Sequence, residues 1–395
     1  MLGGLFVIDL VVFMDRASLA VLLPRIEEVF ALTDATAGML AAAFTVGYCA
    51  TLPLVGWLCD RYRRTYVLAA GVGVWSVTSL ATGFAQDWTQ LLVARCLSGI
   101  GEATCAPIGP MLIADAFPRH QRSRALGVLL MAIPLGSAVG YVLGSQASVW
   151  LDWRWAFYTT GVVGAIAACL ALTLHEPTRG ADEPESVGQS SWTELLHNRG
   201  FAFTTLGMAL MVFSMVAWNV WAPTYLTKLR HMSLDDAGLQ LGIVVAATGI
   251  GGIALGGWIG DLISGGGSRS LLRFAALMTV AAAPCFAFAL MADSLVLCLS
   301  ALTLGLTLIW LNVGPLDTAL LACTAPKIRG AGLALNALVL HLIGEVSAPF
   351  IVGAVSTATG DLAWGLALAA AVLLAAAASY ACAVGDSDET VVSSP

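Results

Sequence analysis

Apolar residues run along this chain in long stretches separated by short polar connections. The stretches begin near Gly3, Thr36, Tyr66, Trp88, Ala125, Trp155, Phe201, Gly238, Leu271, Leu295, Gly332 and Leu362. Each spans about 20 residues, the length a helix needs to cross a hydrocarbon layer. The runs are long and do not alternate apolar with polar residues, so the pattern predicts helices and not a membrane barrel. The expectation is an all-α membrane protein of twelve transmembrane helices, with the lipid bilayer as its surroundings. The first run has no basic leader and carries Asp9, Asp15 and Arg16, so it is not expected to be a cleaved signal peptide. One connection is longer than the rest: His175 to Gly200 is polar and divides six runs from six. The expected organisation is a six-helix bundle over 1–174, a cytoplasmic linker over 175–200, a second bundle over 201–384 and a disordered tail over 385–395. Ser191-Trp-Thr-Glu194 fits a capping box that starts a short surface helix.

Composition supports that class. Of the 395 residues, 58% are hydrophobic and only 11% charged, whereas a soluble domain carries about 25% charged residues. The net charge of −7 offers no basic field for nucleic acid. Nine cysteines lie mostly inside apolar runs with no CxxC pair, so they read as small core residues and indicate neither a disulfide framework nor a metal site. Lys and Arg set the orientation. One side holds twelve: Arg61, Arg63, Arg64, Arg119, Arg122, Arg124, Arg179, Arg199, Arg269, Arg273, Lys327 and Arg329. The other holds four: Arg25, Arg154, Lys228 and Arg230. Both termini are therefore expected in the cytoplasm, in a cell inner (plasma) membrane.

Matching features recur at a near-constant offset. Pro24 pairs with Pro223, 199 apart, and Thr33-Asp34 with Gly38 pairs with Ser233, Asp235 and Gly238. Gly56-Trp-Leu-Cys-Asp60 pairs with Gly257-Trp-Ile-Gly-Asp261, 201 apart, and Pro118 with Arg122 pairs with Pro326 and Arg329, about 207 apart. Turn chemistry explains one such pair but not four in order. A duplicated six-helix unit, two parallel halves about an axis along the membrane normal, is the architecture of the major facilitator superfamily. The stretch from Gly56 through Asp60, Arg61 and Arg64 resembles that superfamily's loop between helices two and three, G-x-L-x-D-R-x-x-R. The resemblance implies a conformational latch built from Gly56, Asp60, Arg61, Arg64 and, in the second half, Asp261.

An ionisable group inside a span costs several kcal/mol unless paired or wetted, so each is a functional suspect. Asp15 and Arg16 are adjacent in the first run and must face different directions. Arg95 and Glu102 sit seven residues apart on one face of the fourth run. His341 and Glu345, at i and i+4 in the eleventh, can touch, and the carboxylate beside the imidazole makes a proton site. Asp317, nearer a helix end, is a weaker candidate. The plain alternative for each pair is that it fixes helix packing. Gly136, Gly140 and Gly144 form a small-residue stripe read as tight helix contact. Gly249-Ile-Gly251-Gly-Ile-Ala254 matches a dinucleotide fingerprint by letter, but no strand precedes it. No Walker sequence, GxSxG or HExxH occurs, so no cofactor and no enzyme activity is expected.

Several stretches resemble the Spinster family of lipid transporters. They are Met14-Asp15-Arg16 with Leu23-Pro24; Leu92 to Glu102; Ile113-Ala-Asp115-x-Phe117; Gln121 to Arg124; Ile133 to Tyr141; and His341-Leu-Ile-Gly344-Glu345 with Ala348-Pro349. In the last, Glu345 stands for the family's Asp and Ala348 for its Ser. The resemblance implies alternating-access carriage of lysophospholipids or sphingoid phosphates with proton coupling. It assigns roles to Asp15, Arg16, Arg95, Glu102 and His341. A monomer that binds a lipid-like amphipathic solute and protons is the expectation. A small organic-anion importer and a multidrug exporter are the alternatives on the same fold. A membrane enzyme would need a nucleophile matched to His341 and Glu345, and none is evident.

Overall fold

The computed structural model describes residues 1–178, 195, 198–324 and 328–386. The Ser191–Glu194 capping signal, Arg179, Pro326, Lys327 and the tail beyond Asp386 lie outside the described residues. Every described element is a helix. The first eight are α1 (Leu2–Phe30), α2 (Asp34–Arg61), α3 (Arg64–Phe84), α4 (Trp88–Glu102), α5 (Cys105–Ala116), α6 (Arg119–Leu130), α7 (Ala132–Trp150) and α8 (Arg154–Thr173). After the linker come α9 (Arg199–Thr224), α10 (Leu234–Ile263), α11 (Gly267–Met291), α12 (Leu295–Trp310), α13 (Val313–Ala322), α14 (Arg329–Val339), α15 (Ser347–Thr359) and α16 (Leu362–Asp386). The last helix thus runs two residues into the segment expected as a tail.

Among the described residues, ten helical stretches are long and apolar enough to cross a membrane. The stretch Leu234–Met291 is 58 residues long. It holds α10 and α11 around a short 3-10 turn, Ser264–Gly266, after which Gly267 takes φ +70°. A positive φ of that kind suits glycine, which has no Cβ to clash.

Four of the long stretches are interrupted, and proline explains where. A proline lacks an N–H and frees the carbonyl four residues before it. Pro107 follows the α4–α5 break, Pro134 the α6–α7 break at Met131, and Pro315 the α12–α13 break at Leu311 and Asn312. Pro349 follows a π-helical turn, Leu340–Val346. A second π turn, Tyr225–Leu229, follows Pro223. The carbonyl that Pro223 frees is that of Asn219, and the Tyr141 hydroxyl donates to it at 2.5 Å.

The chain forms two compact units: Met1–Pro184 with Asn219–Ala246, and Glu185–Trp218 with Ala247–Pro395. In the first, α1 lies along α7, α2 along α4, and α3 between α4 and α8. The glycine stripe makes the α1–α7 contact: a Cβ on Gly140 would strike the Met14 carbonyl, and Ser18 Oγ donates to the Gly140 carbonyl at 3.3 Å. In the second unit α11 packs on α12 and α16. There Trp218 stacks on Phe286 at 5.0 Å, and buried Asn312 donates to Thr279 Oγ1 at 3.2 Å.

Candidate functional site

Two neighbouring residues of α1 serve different surroundings because a helix turns about 100° per residue. Asp15 points into the junction of α3, α4 and α8. Its Oδ2 lies 2.8 Å from Arg95 Nη1, and its Oδ1 accepts from Ser79 Oγ at 2.7 Å and Thr160 Oγ1 at 2.9 Å. Asp15 is 0% and Arg95 1% exposed. The pair is enclosed, and Asp15 is hydrogen-bonded on both oxygens, as a buried carboxylate must be.

Arg16 turns elsewhere. Its Nη2 lies 2.5 Å from Glu102 Oε1, and the arginine side chain remains 24% exposed against 3% for the glutamate. The guanidinium stands over Phe44 at 4.5 Å, Phe13 at 5.3 Å and Tyr48 at 5.6 Å. Such faces attract a cation and fix a planar one. Phe44 also faces Arg95 at 5.3 Å. Glu102 is the last residue of α4, directly before the proline-induced break. Its Oε2 is buried with no hydrogen-bond donor among the described residues. Asp9, about two turns before Arg16 on α1, is near enough to Glu102 for the two charges to interact. The first unit therefore brings together all four of its expected charged residues, as two pairs: Asp15 with Arg95, and Arg16 with Glu102.

His341 and Glu345 meet in the second unit, Nδ1 to Oε2 at 3.2 Å, both about one-fifth exposed. The π turn carries them on one face. Asp317 lies on α13 and is exposed.

The expected latch residues take varied positions. Gly56 has open space where a Cβ would stand. Asp60, Arg61 and Asp261 are exposed, with Arg61 over the Trp57 ring at 4.2 Å. Arg64 alone is buried, between two carboxylates: Nη1 is 2.7 Å from Asp115 Oδ2, and Nε is 2.9 Å from Glu176 Oε1. Glu176 Oε2 also accepts the Thr65 N–H at 3.0 Å, capping the first turn of α3. Burial pushes the Glu176 carboxyl up, but the Arg64 and Thr65 hydrogen bonds outweigh it and hold the group below its ordinary value. Sequence reasoning missed Glu176, which reads as one more linker acid 112 residues from its partner. It also missed Glu27 and Lys228, which read as ordinary charges near helix ends.

Comparison with known proteins agrees with the geometry. The sequence profile of the Major Facilitator Superfamily matches residues 5–349. Protein spinster homolog 1 of Homo sapiens is 32% identical over 377 residues, covering 88% of this chain and 71% of that protein. Protein spinster homolog 3 of Danio rerio is 30% identical over 386 residues, covering 90% and 77%. Among solved structures, a bacterial homolog of the human lysosomal transporter Spinster, inward-facing and unoccupied, superposes with a TM-score of 0.85 at 22% identity, covering 98% of this chain and 96% of that one. A D-xylose–proton symporter superposes with a TM-score of 0.74 at 18% identity, covering 95% of each. With its all-helical fold, its membrane-length helices and these relatives, the chain is a membrane transporter belonging to the Spinster family of the major facilitator superfamily.

Proposed function

We propose that the protein is a proton-coupled secondary transporter that moves a lysophospholipid or sphingolipid-like amphipathic solute by alternating access. The observation that carries this reading is the contrast between the two arginines. Arg95 is enclosed and bound to Asp15, so that pair positions α1 against α4. Arg16 keeps about a quarter of its side-chain surface exposed, is flanked by aromatic rings and is ion-paired with Glu102. An anionic head group would compete with Glu102 for Arg16. A glutamate deprived of its partner in an enclosed site takes up a proton more readily than it stays charged. Binding and proton uptake are thereby linked, and the linkage acts through different affinities in the two conformations. His341 and Glu345 supply a second proton site in this reading.

Twelve spans follow if α1 is counted and Leu234–Met291 is divided at Gly267. α1, at 29 residues, is long enough for a bilayer, and its Asp15 and Arg16 pair with Arg95 and Glu102 of α4. Six spans on each side of the linker, both termini cytoplasmic and a monomer in the inner (plasma) membrane complete the proposal. Gly56, Asp60, Arg61, Arg64 and Asp261 serve there as the cytoplasmic latch, with Asp115 and Glu176 as the counter-charges of Arg64.

The test is uptake of labelled lysophospholipid into proteoliposomes under an imposed pH gradient. The parent protein is expected to accumulate it, and E102Q to lose the pH response. An unaltered response in E102Q refutes proton coupling through Glu102. Transport of a small organic anion without lysolipid movement would favour the second reading, an importer in which Arg16 clamps a carboxylate.

A further inference from the structure

Lys228 bridges two acids from different elements. Its Nζ lies 2.5 Å from Glu27 Oε2, near the end of α1, and 3.0 Å from Asp34 Oδ1, at the start of α2. Glu27 keeps 3% of its side-chain surface, whereas Lys228 keeps 40%. The backbone around the lysine is shaped for this contact. Lys228 stands in the π turn Tyr225–Leu229, which closes with the Arg230 N–H on the Tyr225 carbonyl at 3.3 Å, and His231 then takes φ 53°. A π turn inserts one residue and re-aims the side chains after it, a device frequent at functional sites.

The segment that carries Lys228 has two affiliations. By the internal repeat, Ser233, Asp235 and Gly238 are the second copy of Thr33, Asp34 and Gly38. By packing, residues 219–246 belong to the first unit. Beside the lysine, a hydroxyl and small residues make the contact. Tyr141 donates to the Asn219 carbonyl, and Gly238 and Gly242 approach α7 closely, where a Cβ on Gly238 would strike Ser145 Oγ. Contacts through glycine separate without leaving a large apolar surface in water.

We propose that Lys228, Glu27 and Asp34 form an ionic latch that holds residues 219–246 against the rest of the first unit and parts once in every transport cycle. The role rests on the alternating-access reading above. Charge suits it: half-exposed Lys228 regains water when it leaves, so the contact is reversible, while enclosed Glu27 favours its return. The latch differs from the Arg64 network in sequence and in partners.

The experiment uses full-length protein with its nine cysteines replaced and a single S145C, reconstituted in vesicles. Ser145 is buried beneath Gly238, so a membrane-impermeant maleimide reaches it only when the segment lifts. K228Q is expected to raise the labelling rate roughly ten-fold. E27Q/D34N reports the same contact from its other side and serves where K228Q fails to fold. The triple variant is expected to label no faster than K228Q, because all three residues share one interaction. An unchanged rate in the variants, or a triple variant whose rate is the product of the two separate effects, overturns the latch. Solute flux in the same vesicles separates the two readings. Faster labelling without flux in the parent protein overturns the transport reading alone, and parental flux with labelling indifferent to K228Q overturns the latch alone.

Discussion

Arg16 and Arg95 share one ring, Phe44, yet differ in what they can do. A guanidinium that is enclosed and bound to a satisfied carboxylate is part of the scaffold; one with exposed surface can exchange its ionic partner for a ligand. R16K keeps the charge but loses the planar fork and its stacking. It is expected to raise the KM for lysolipid about ten-fold with a smaller change in kcat, read in the flux assay. S79A removes a donor to Asp15 and is expected to cost about 1–3 kcal/mol of stability, read as a lowered Tm, while leaving KM unaltered. Equal KM effects in both variants would erase the distinction. At this scale the charged residues were legible because charge in an apolar run is conspicuous, but their pairing was not. Asp15 meets a residue 80 positions away, and no local period marks it.

Among the elements, prolines write the interruptions and the tertiary fold supplies what they remove. Pro223 leaves the Asn219 carbonyl without its helical donor, and Tyr141 of α7 fills the place. Y141F is expected to lower Tm by a cost of about 1–3 kcal/mol. P223A returns an N–H to the helix and is expected to suppress most of that loss; a Tm for the double variant equal to that of Y141F alone would mean that the hydroxyl acts otherwise. Span positions were readable from length and hydropathy, with Trp88, Leu295 and Leu362 starting helices as expected. The π turns were not, since a single extra residue per turn leaves hydropathy unchanged.

Across the whole molecule, the linker acid Glu176 ties the end of the first six helical runs back to Arg64 and α3. Its carboxyl is held below its unfolded value near 4.5. The stability it contributes is therefore fully present above that value and is lost as pH falls through the lower, folded value. Thermal unfolding between about pH 3 and 7 is expected to show an acid-side decline that E176Q reduces; identical profiles would remove Glu176 from the account. The sequence by itself determined the class, most helix positions and the family, because long apolar runs admit one backbone solution in a bilayer and motif spacing survives in one dimension. Only the tertiary structure decided which charge meets which, that residues 219–246 pack with the first unit, and that Lys228 stands between Glu27 and Asp34. Those are facts of direction and distance between remote segments, and a pattern along one chain carries neither.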